Sequence, residues 1–341
     1  MTIGDGARDA ALVDLRSDAV TRPSPAMWEA MRADRLAWSR EGDPTVTELE
    51  RRVAQLAGLP AAVLVASGTM ANTLALLAAT SPGDTFVVDR DAHVLRAEGD
   101  AYRMLAGLVP HPVEGRAGHI EEQHVRRVVT TGPRPSLVWL ENTHTFAGGT
   151  VATAAQMREV VATAKQAGMR VHVDGARLWN AAVASGSDLA MLTEGADTIT
   201  LNLDKGLGCP FGAVLCGVPA TIRAVRERMV GFGGVLAQQG MLAAAALVAL
   251  DGYDAQMRRD HDLARTLADG LRGAGAAADV PATNIVLVRV PDAAGALKRL
   301  ERAGVLAFAR DPETIRFVTH RDVGAEEIER VVAMGAVLCE A

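Results

Sequence analysis

Cysteine is scarce in this chain: Cys209, Cys216 and Cys339 are the 3 among 341 residues, and they form neither a CxxC pair nor a zinc-ligand spacing. That argues against a disulfide-stapled scaffold, and the odd count suits a reducing compartment. Long apolar runs are missing too, since none approaches the roughly 20 residues of a membrane span. The N-terminus lacks the basic-then-apolar pattern of a signal peptide. Positive charge is nowhere concentrated. Lys plus Arg number 35 against 41 Asp plus Glu, a net charge of −6, so nucleic acid is not expected as the main partner. A soluble, cytoplasmic protein is expected. Apolar residues make up 49% of the chain, which suits a large α/β domain with a smaller companion.

The strongest local signal is Thr200-Leu201-Asn202-Leu203-Asp204-Lys205-Gly206-Leu207-Gly208. A β-prone apolar lead ends abruptly and hands one lysine to a tight turn. Lysine between apolar segments is rare unless it is paired or its pKa is lowered, and a desolvated lysine is a nucleophile toward carbonyls. Alone, Lys205 also reads as an ordinary turn residue. Val171-His172-Val173-Asp174-Gly175-Ala176-Arg177 adds an acid at the carboxyl end of an apolar strand, the edge that faces the ligand crevice of an open α/β sheet. Ser67-Gly68-Thr69-Met70-Ala71-Asn72, after a strand at 61–66, adds a helix N-terminus suited to an anion. A lysine for a Schiff base, an acid for a pyridine nitrogen and a helix start for a phosphate are what pyridoxal phosphate requires. The plainer alternatives are a helix cap for Asp174 and a loop histidine for His93.

Along the chain, helices are expected at 25–35 and 45–57, with Asp14 to Pro23 too polar for a core strand. From 61 onward strand and helix alternate. Strands are expected at 61–66, 84–88, 136–141, around Asp174, at 197–201 and at 212–216, with helices at 69–79, 153–168 and after Arg177. The alternation predicts a mostly parallel, doubly wound sheet. Helical runs at 218–230 and 236–272 lead to a small C-terminal α+β domain. The expected division is an N-terminal arm and helix at 1–45, a large cofactor-binding domain at 46–250 and a small domain at 251–341. His111, His119, His124 and His261 read as surface residues, while His172 packs in its strand.

Seven segments, in order, resemble the low-specificity threonine aldolases of the β-eliminating lyase group. They are 14–18, Asp43-Pro44-Thr45-Val46, 67–72, Glu141-Asn142-Thr143-His144, 172–177, 205–208 and Arg316-Phe317-Val318-Thr319-His320. The resemblance implies the transferase-like fold of fold-type I pyridoxal phosphate enzymes. It also implies cleavage of a β-hydroxy-α-amino acid to glycine and an aldehyde, or the reverse. Lys205 would carry pyridoxal 5'-phosphate, Asp174 would pair with its ring nitrogen, and Gly68 and Thr69 would hold its phosphate. His93 would stack on the ring near the substrate hydroxyl. Ser17, Arg177 and Arg316 would hold the substrate carboxylate, with Arg177 also beside the cofactor. A homodimer or homotetramer acting on a small amino acid is implied, with no nucleic-acid, membrane or metal partner.

Several positions depart from that family pattern. Arg40 stands where a tyrosine is usual, suggesting an anion contact at a neighbouring site or a plain loop residue. Thr131 occupies the place of a second histidine, Ala237 that of an arginine, and Asp204 that of a Ser or Asn. A lysine expected before Gly233 is missing, with Arg226 and Arg228 nearby. These losses touch substrate and phosphate contacts rather than Lys205 or Asp174. β-Elimination, transaldol exchange or racemisation of a specialised amino acid is therefore the alternative chemistry, and a silent binding protein is the alternative class.

Overall fold

The computed structural model describes residues 12–34, 37–38, 42–132 and 134–338. The chain falls into two units, Met1–Thr21 with Ala255–Ala341, and Arg22–Asp254. Val13–Asp14 (β1) begins the described chain, and its parallel partner is Val305–Leu306 near the other end. This corrects, at Val13–Asp14, the reading of the stretch from Asp14 as too polar for a core strand. Val13 and Leu15 point into the core, while Asp14 and Arg16 satisfy each other in an ion pair of 2.6 Å.

Arg22–Asp254 holds a seven-stranded sheet. Its strands are Ala61–Val65 (β2), Thr85–Asp89 (β3), Val109–Val113 (β4), Leu137–Glu141 (β5), Arg170–Gly175 (β6), Thr198–Asn202 (β7) and Ala213–Gly217 (β8). Their order is β2-β8-β7-β6-β5-β3-β4. The expected mostly parallel sheet is mixed in one respect. β3, β4, β5, β6 and β7 pair in parallel, while β8 runs against both β2 and β7. Since β8 opposes both neighbours, β2 points the same way as β7. The carboxyl ends of β2, β3, β5, β6 and β7 therefore share one edge, where open α/β sheets bind ligands.

Sequence explains the placement. β5, β7 and β8 are buried along their whole length, as central strands covered on both faces must be. β4 reads Val-Pro-His-Pro-Val and lies at the sheet edge, where proline costs the ladder no internal hydrogen bond. Several helices begin at side-chain caps. Asp43 accepts from the N–H groups of Thr45 and Val46 ahead of helix Pro44–Leu56, and Ser67 accepts from Met70 ahead of Gly68–Ala79. The run expected at 236–272 is two helices, Gly240–Leu250 and Tyr253–Gly273. Gly252, at φ +77°, makes the break with a backbone conformation that side chains disfavour.

In the other unit an antiparallel sheet is built from Ala277–Ala278 (β9), Ile285–Arg289 (β10), Phe308–Asp311 (β12) and Thr314–Val318 (β13), in the order β12-β13-β10-β9; Val305–Leu306 is β11. Val286, Val288, Ile315 and Phe317 meet Leu267, Leu271, Leu300 and Ile328 in its core. His261 is buried, not at the surface as expected. It follows Met257 and Asp260 and precedes Ala264 and Leu267 on the buried stripe of its helix. His119 is half-buried, with Nε2 enclosed, a second departure from the surface reading.

Candidate active site

Five of the sequence-predicted residues, Gly68, Thr69, His93, Asp174 and Lys205, line one cavity of about 180 Å³ at the shared carboxyl edge. Each arrives there by a short path. Gly68 and Thr69 open the helix after β2, and His93 begins the four-residue helix His93–Arg96 after β3, where a loop was expected. Asp174 is next to the last residue of β6, and Lys205 stands three positions past β7 in a turn closed by Gly208 N–H donating to the Lys205 carbonyl at 2.7 Å. The Ser67 hydroxyl takes the N–H of Met70, so the first-turn N–H groups of Gly68 and Thr69 are left for an anion.

Gly68 is required by close approach. A Cβ there would overlap the side-chain amide of Asn202. Asp204, one of the departures from the family pattern, explains that amide's orientation: its Oδ1 accepts from Asn202 Nδ2 at 2.8 Å. Asn202 Oδ1 is then turned toward Gly68, buried and without a hydrogen-bond partner.

Asp174 is almost wholly buried and held at both oxygens. Oδ1 accepts from the N–H of Ala176 at 3.1 Å, and Oδ2 accepts from Asn72 Nδ2 at 3.0 Å. The same Asn72 nitrogen donates to Glu98 Oε1 at 2.8 Å, while Asn72 Oδ1 lies 3.2 Å from His172 Nε2. His172 is fully buried, stacked against Trp139, and burial drives its pKa down to about 4. A neutral His172 therefore donates from Nε2 to Asn72, which aims the amide nitrogen at the two carboxylates. Ligand atoms of His93, Glu98 and Asp174 lie within 4.8 Å of one another, and the Asn72 amide occupies the gap between the acids.

His93 Nδ1 sits 2.8 Å from Glu98 Oε1. Burial alone would lower the His93 pKa, but Glu98, Asp174 and Glu141 outweigh it and hold the pKa above the ordinary histidine value. Burial raises the Glu98 carboxyl, and Asp174 adds to that rise. Glu141, at the end of β5, accepts from the backbone N–H groups of His93 at 2.7 Å and Thr145 at 2.8 Å. Thr145 Oγ1 in turn accepts from buried Arg177 at 3.1 Å. His144 is buried behind Glu141, with Nε2 at ion-pair distance, 3.2 Å, from Asp89 Oδ1.

The remaining predicted residues lie elsewhere or outside description. Arg177 is one residue beyond Ala176 but does not line the cavity. Ser17 and Arg316 belong to the other unit, where Arg316 donates to the carbonyl of Arg16 at 3.1 Å and its guanidinium lies 5.9 Å from the Phe308 ring centre. Arg40 lies outside the described residues. Arg226 is engaged by Glu50 at 2.5 Å. Thr131 ends a helix and donates to the Arg127 carbonyl at 2.9 Å. Sequence reading gave no role to Asn72, Glu98 or Asn202. The Asn72 signal was present four positions after Gly68, on the same helix face. Glu98, in a polar stretch, resembles surface charge.

Comparison with known proteins defines first the class and then the family. A threonine aldolase structure from Leishmania major superposes with TM-score 0.84 at 19% identity, covering 95% of this chain and 98% of that one. A structure of SPT carrying pyridoxal phosphate gives 0.74 at 20% identity, covering 95% and 86%. The fold is that of the fold-type I pyridoxal phosphate enzymes. The β-eliminating lyase family pattern matches residues 14–293, and the low-specificity L-threonine aldolase of Escherichia coli K12 is 38% identical over 330 residues, 94% of this chain and 98% of that one. The chain belongs to the β-eliminating lyase family.

The cavity suits pyridoxal phosphate. An enclosed carboxylate with two fixed donors, a lysine, an open helix start and a glycine that only a side chain's absence permits all border one space. Glu98 Oε2 and Asn202 Oδ1, buried and without a hydrogen-bond partner among the described residues, leave polar lining beyond the cavity's own internal needs.

Proposed function

We propose that this protein is a pyridoxal phosphate-dependent lyase of the low-specificity threonine aldolase type, cleaving β-hydroxy-α-amino acids to glycine and an aldehyde, or joining them. The observation that carries the reading is one cavity bordered by Lys205, Asp174 and the Gly68–Thr69 helix start.

Lys205 is the residue whose ε-amine would hold the cofactor. Asp174, fixed by Ala176 and Asn72, keeps a proton on the ring nitrogen. Gly68 and Thr69 donate to the phosphate. His93 lies on the cavity wall, positioned to stack on the ring and to receive the β-hydroxyl proton. Arg177 takes the carboxylate, for which a planar guanidinium offers two parallel donors. Pyridoxal phosphate, when bound, supplies the electron sink that lets the Cα–Cβ bond break. Arg40 is an anion contact, to phosphate or to a polar substrate substituent. The protein is further proposed to be cytoplasmic and a homodimer or homotetramer; among the described residues no helix is long and apolar enough to cross a membrane.

Incubation of purified protein with threonine, allo-threonine and phenylserine, with glycine and aldehyde quantified, tests the reading. Glycine from at least one is expected. 2-Oxobutyrate or phenylpyruvate with ammonia, or inversion at Cα without glycine, would instead assign β-elimination or racemisation. Visible absorbance that borohydride bleaches is expected in every one of those cases, and its absence would overturn the cofactor assignment.

A further inference from the structure

We infer that Glu98 and His93 form a dyad in which Glu98 fixes the imidazole proton on Nδ1, leaving Nε2 as the base for the substrate's β-hydroxyl. The inference rests on the aldolase reading, in which His93 receives that proton, and adds Glu98 as the residue that orients it. The position of the usual second histidine is Thr131, which ends a helix with its hydroxyl on a backbone carbonyl. His124 is likewise engaged, with Nδ1 accepting the N–H of Glu121 at 3.0 Å. His93 is the histidine that lines the cavity.

Geometry sets the tautomer. His93 Nδ1 lies 2.8 Å from Glu98 Oε1, and the Glu98 side chain is 1% exposed against 28% for His93. Oε1 also accepts from Asn72 Nδ2 at 2.8 Å, an orientation secured by His172 on the amide's other end. Oε1 is thus an acceptor, and toward Nδ1 as toward Asn72 the shared hydrogen belongs to the nitrogen. Nε2 has no hydrogen-bond partner among the described residues, and the His93 side chain is partly exposed. The charges facing His93 are Glu98, Asp174 at the end of β6 and Glu141 at the end of β5, with Lys205 and Asp204 on the same cavity wall. Four acids against one lysine near the ring favour an imidazole that can accept a proton.

The step balances. The hydroxyl proton moves to Nε2, the O–H electron pair becomes the second carbon–oxygen bond of the aldehyde, and the Cα–Cβ pair stays with Cα. One proton returned to Cα completes glycine, so turnover neither gains nor loses protons. Glu98 is a positioning residue, since it acts through His93.

Two measurements test this. Long-range ¹H–¹⁵N NMR of cofactor-free, histidine-labelled protein should place the His93 proton on Nδ1, and Glu98→Gln should lower the His93 pKa by about one unit. In the loaded enzyme, Glu98→Gln should reduce kcat by about 10²-fold and move the acid limb of its pH profile downward, with KM and cofactor absorbance retained. Glu98→Asp should recover part of the rate, and Glu98→Gln in a His93→Asn background should add little further loss. A proton on Nε2 in the wild type, or a His93 pKa unmoved by Glu98→Gln, would overturn the dyad. Failure of every β-hydroxy amino acid to yield glycine would overturn the aldolase reading while leaving the NMR result to decide the dyad.

Discussion

The carboxylate of Glu141 accepts the backbone N–H of His93, 48 positions earlier in the chain, at 2.7 Å. Its other oxygen holds Thr145, whose hydroxyl holds Arg177, so one buried side chain fixes both His93 and Arg177. Glu141→Gln replaces one accepting oxygen with an NH₂ that must oppose a backbone donor. We expect a stability loss of about 1.5–3 kcal/mol by urea unfolding, with KM raised and kcat lowered together. Unchanged kinetics would show that Glu141 serves only its own loop.

Gly68→Ala should be costly out of proportion to one methyl group. The new Cβ meets the Asn202 amide, and overpacking of this kind costs about 1–3 kcal/mol. Equilibrium dialysis should show weaker pyridoxal phosphate retention, because the helix start must retreat from its ligand. Gly231→Ala, where an added Cβ meets nothing within 4 Å, is the control expected to change neither. Equal retention in both variants would remove Gly68 from the phosphate site.

Lys205→Ala should abolish turnover and leave no borohydride-stable label; a label on another lysine in the peptide map would relocate the Schiff base. Asp174→Asn should retain cofactor yet lose most turnover, since an amide cannot keep a proton on the ring nitrogen. Near wild-type rates in that variant would contradict the pairing.

Asp260 should make stability fall with rising pH. Burial pushes its carboxyl up to about 7, with nearby Asp18 contributing and the Gln256 amide opposing. The folded state thus holds a proton that the unfolded chain releases near pH 4. The stabilising effect is fully present below pH 4 and is lost as pH rises through about 7. Asp260→Asn should therefore flatten the decline between pH 5 and 8, raising the urea midpoint at pH 8 and leaving pH 5 nearly unchanged. A parallel decline in wild type and variant would assign the slope to other groups.

The sequence by itself determined six of the seven strands of the large sheet and the chemistry at their edge, but not the edge strand β4 with its two prolines. Apolar runs of about five residues specify buried strands, and those that end in or beside Asp89, Glu141, Asp174 and Asn202 deliver polar groups to one side. The cap Ser67, the acid Asp174 and the turn lysine Lys205 were legible because each is set by residues within a few positions of itself. Tertiary structure alone decided what those groups touch. Asn72 bridges Glu98 and Asp174 across separations of 26 and 102 residues, and Glu141 reaches back 48 to His93. His261 and His119 looked like surface residues because a histidine's burial depends on which helix face or loop the rest of the fold covers. The antiparallel course of β8 was equally hidden, since a buried strand reads the same in either direction. Local conformation follows from neighbours in sequence. Pairing partners, burial and the pKa values they shift follow from neighbours in space, which only the folded chain brings together.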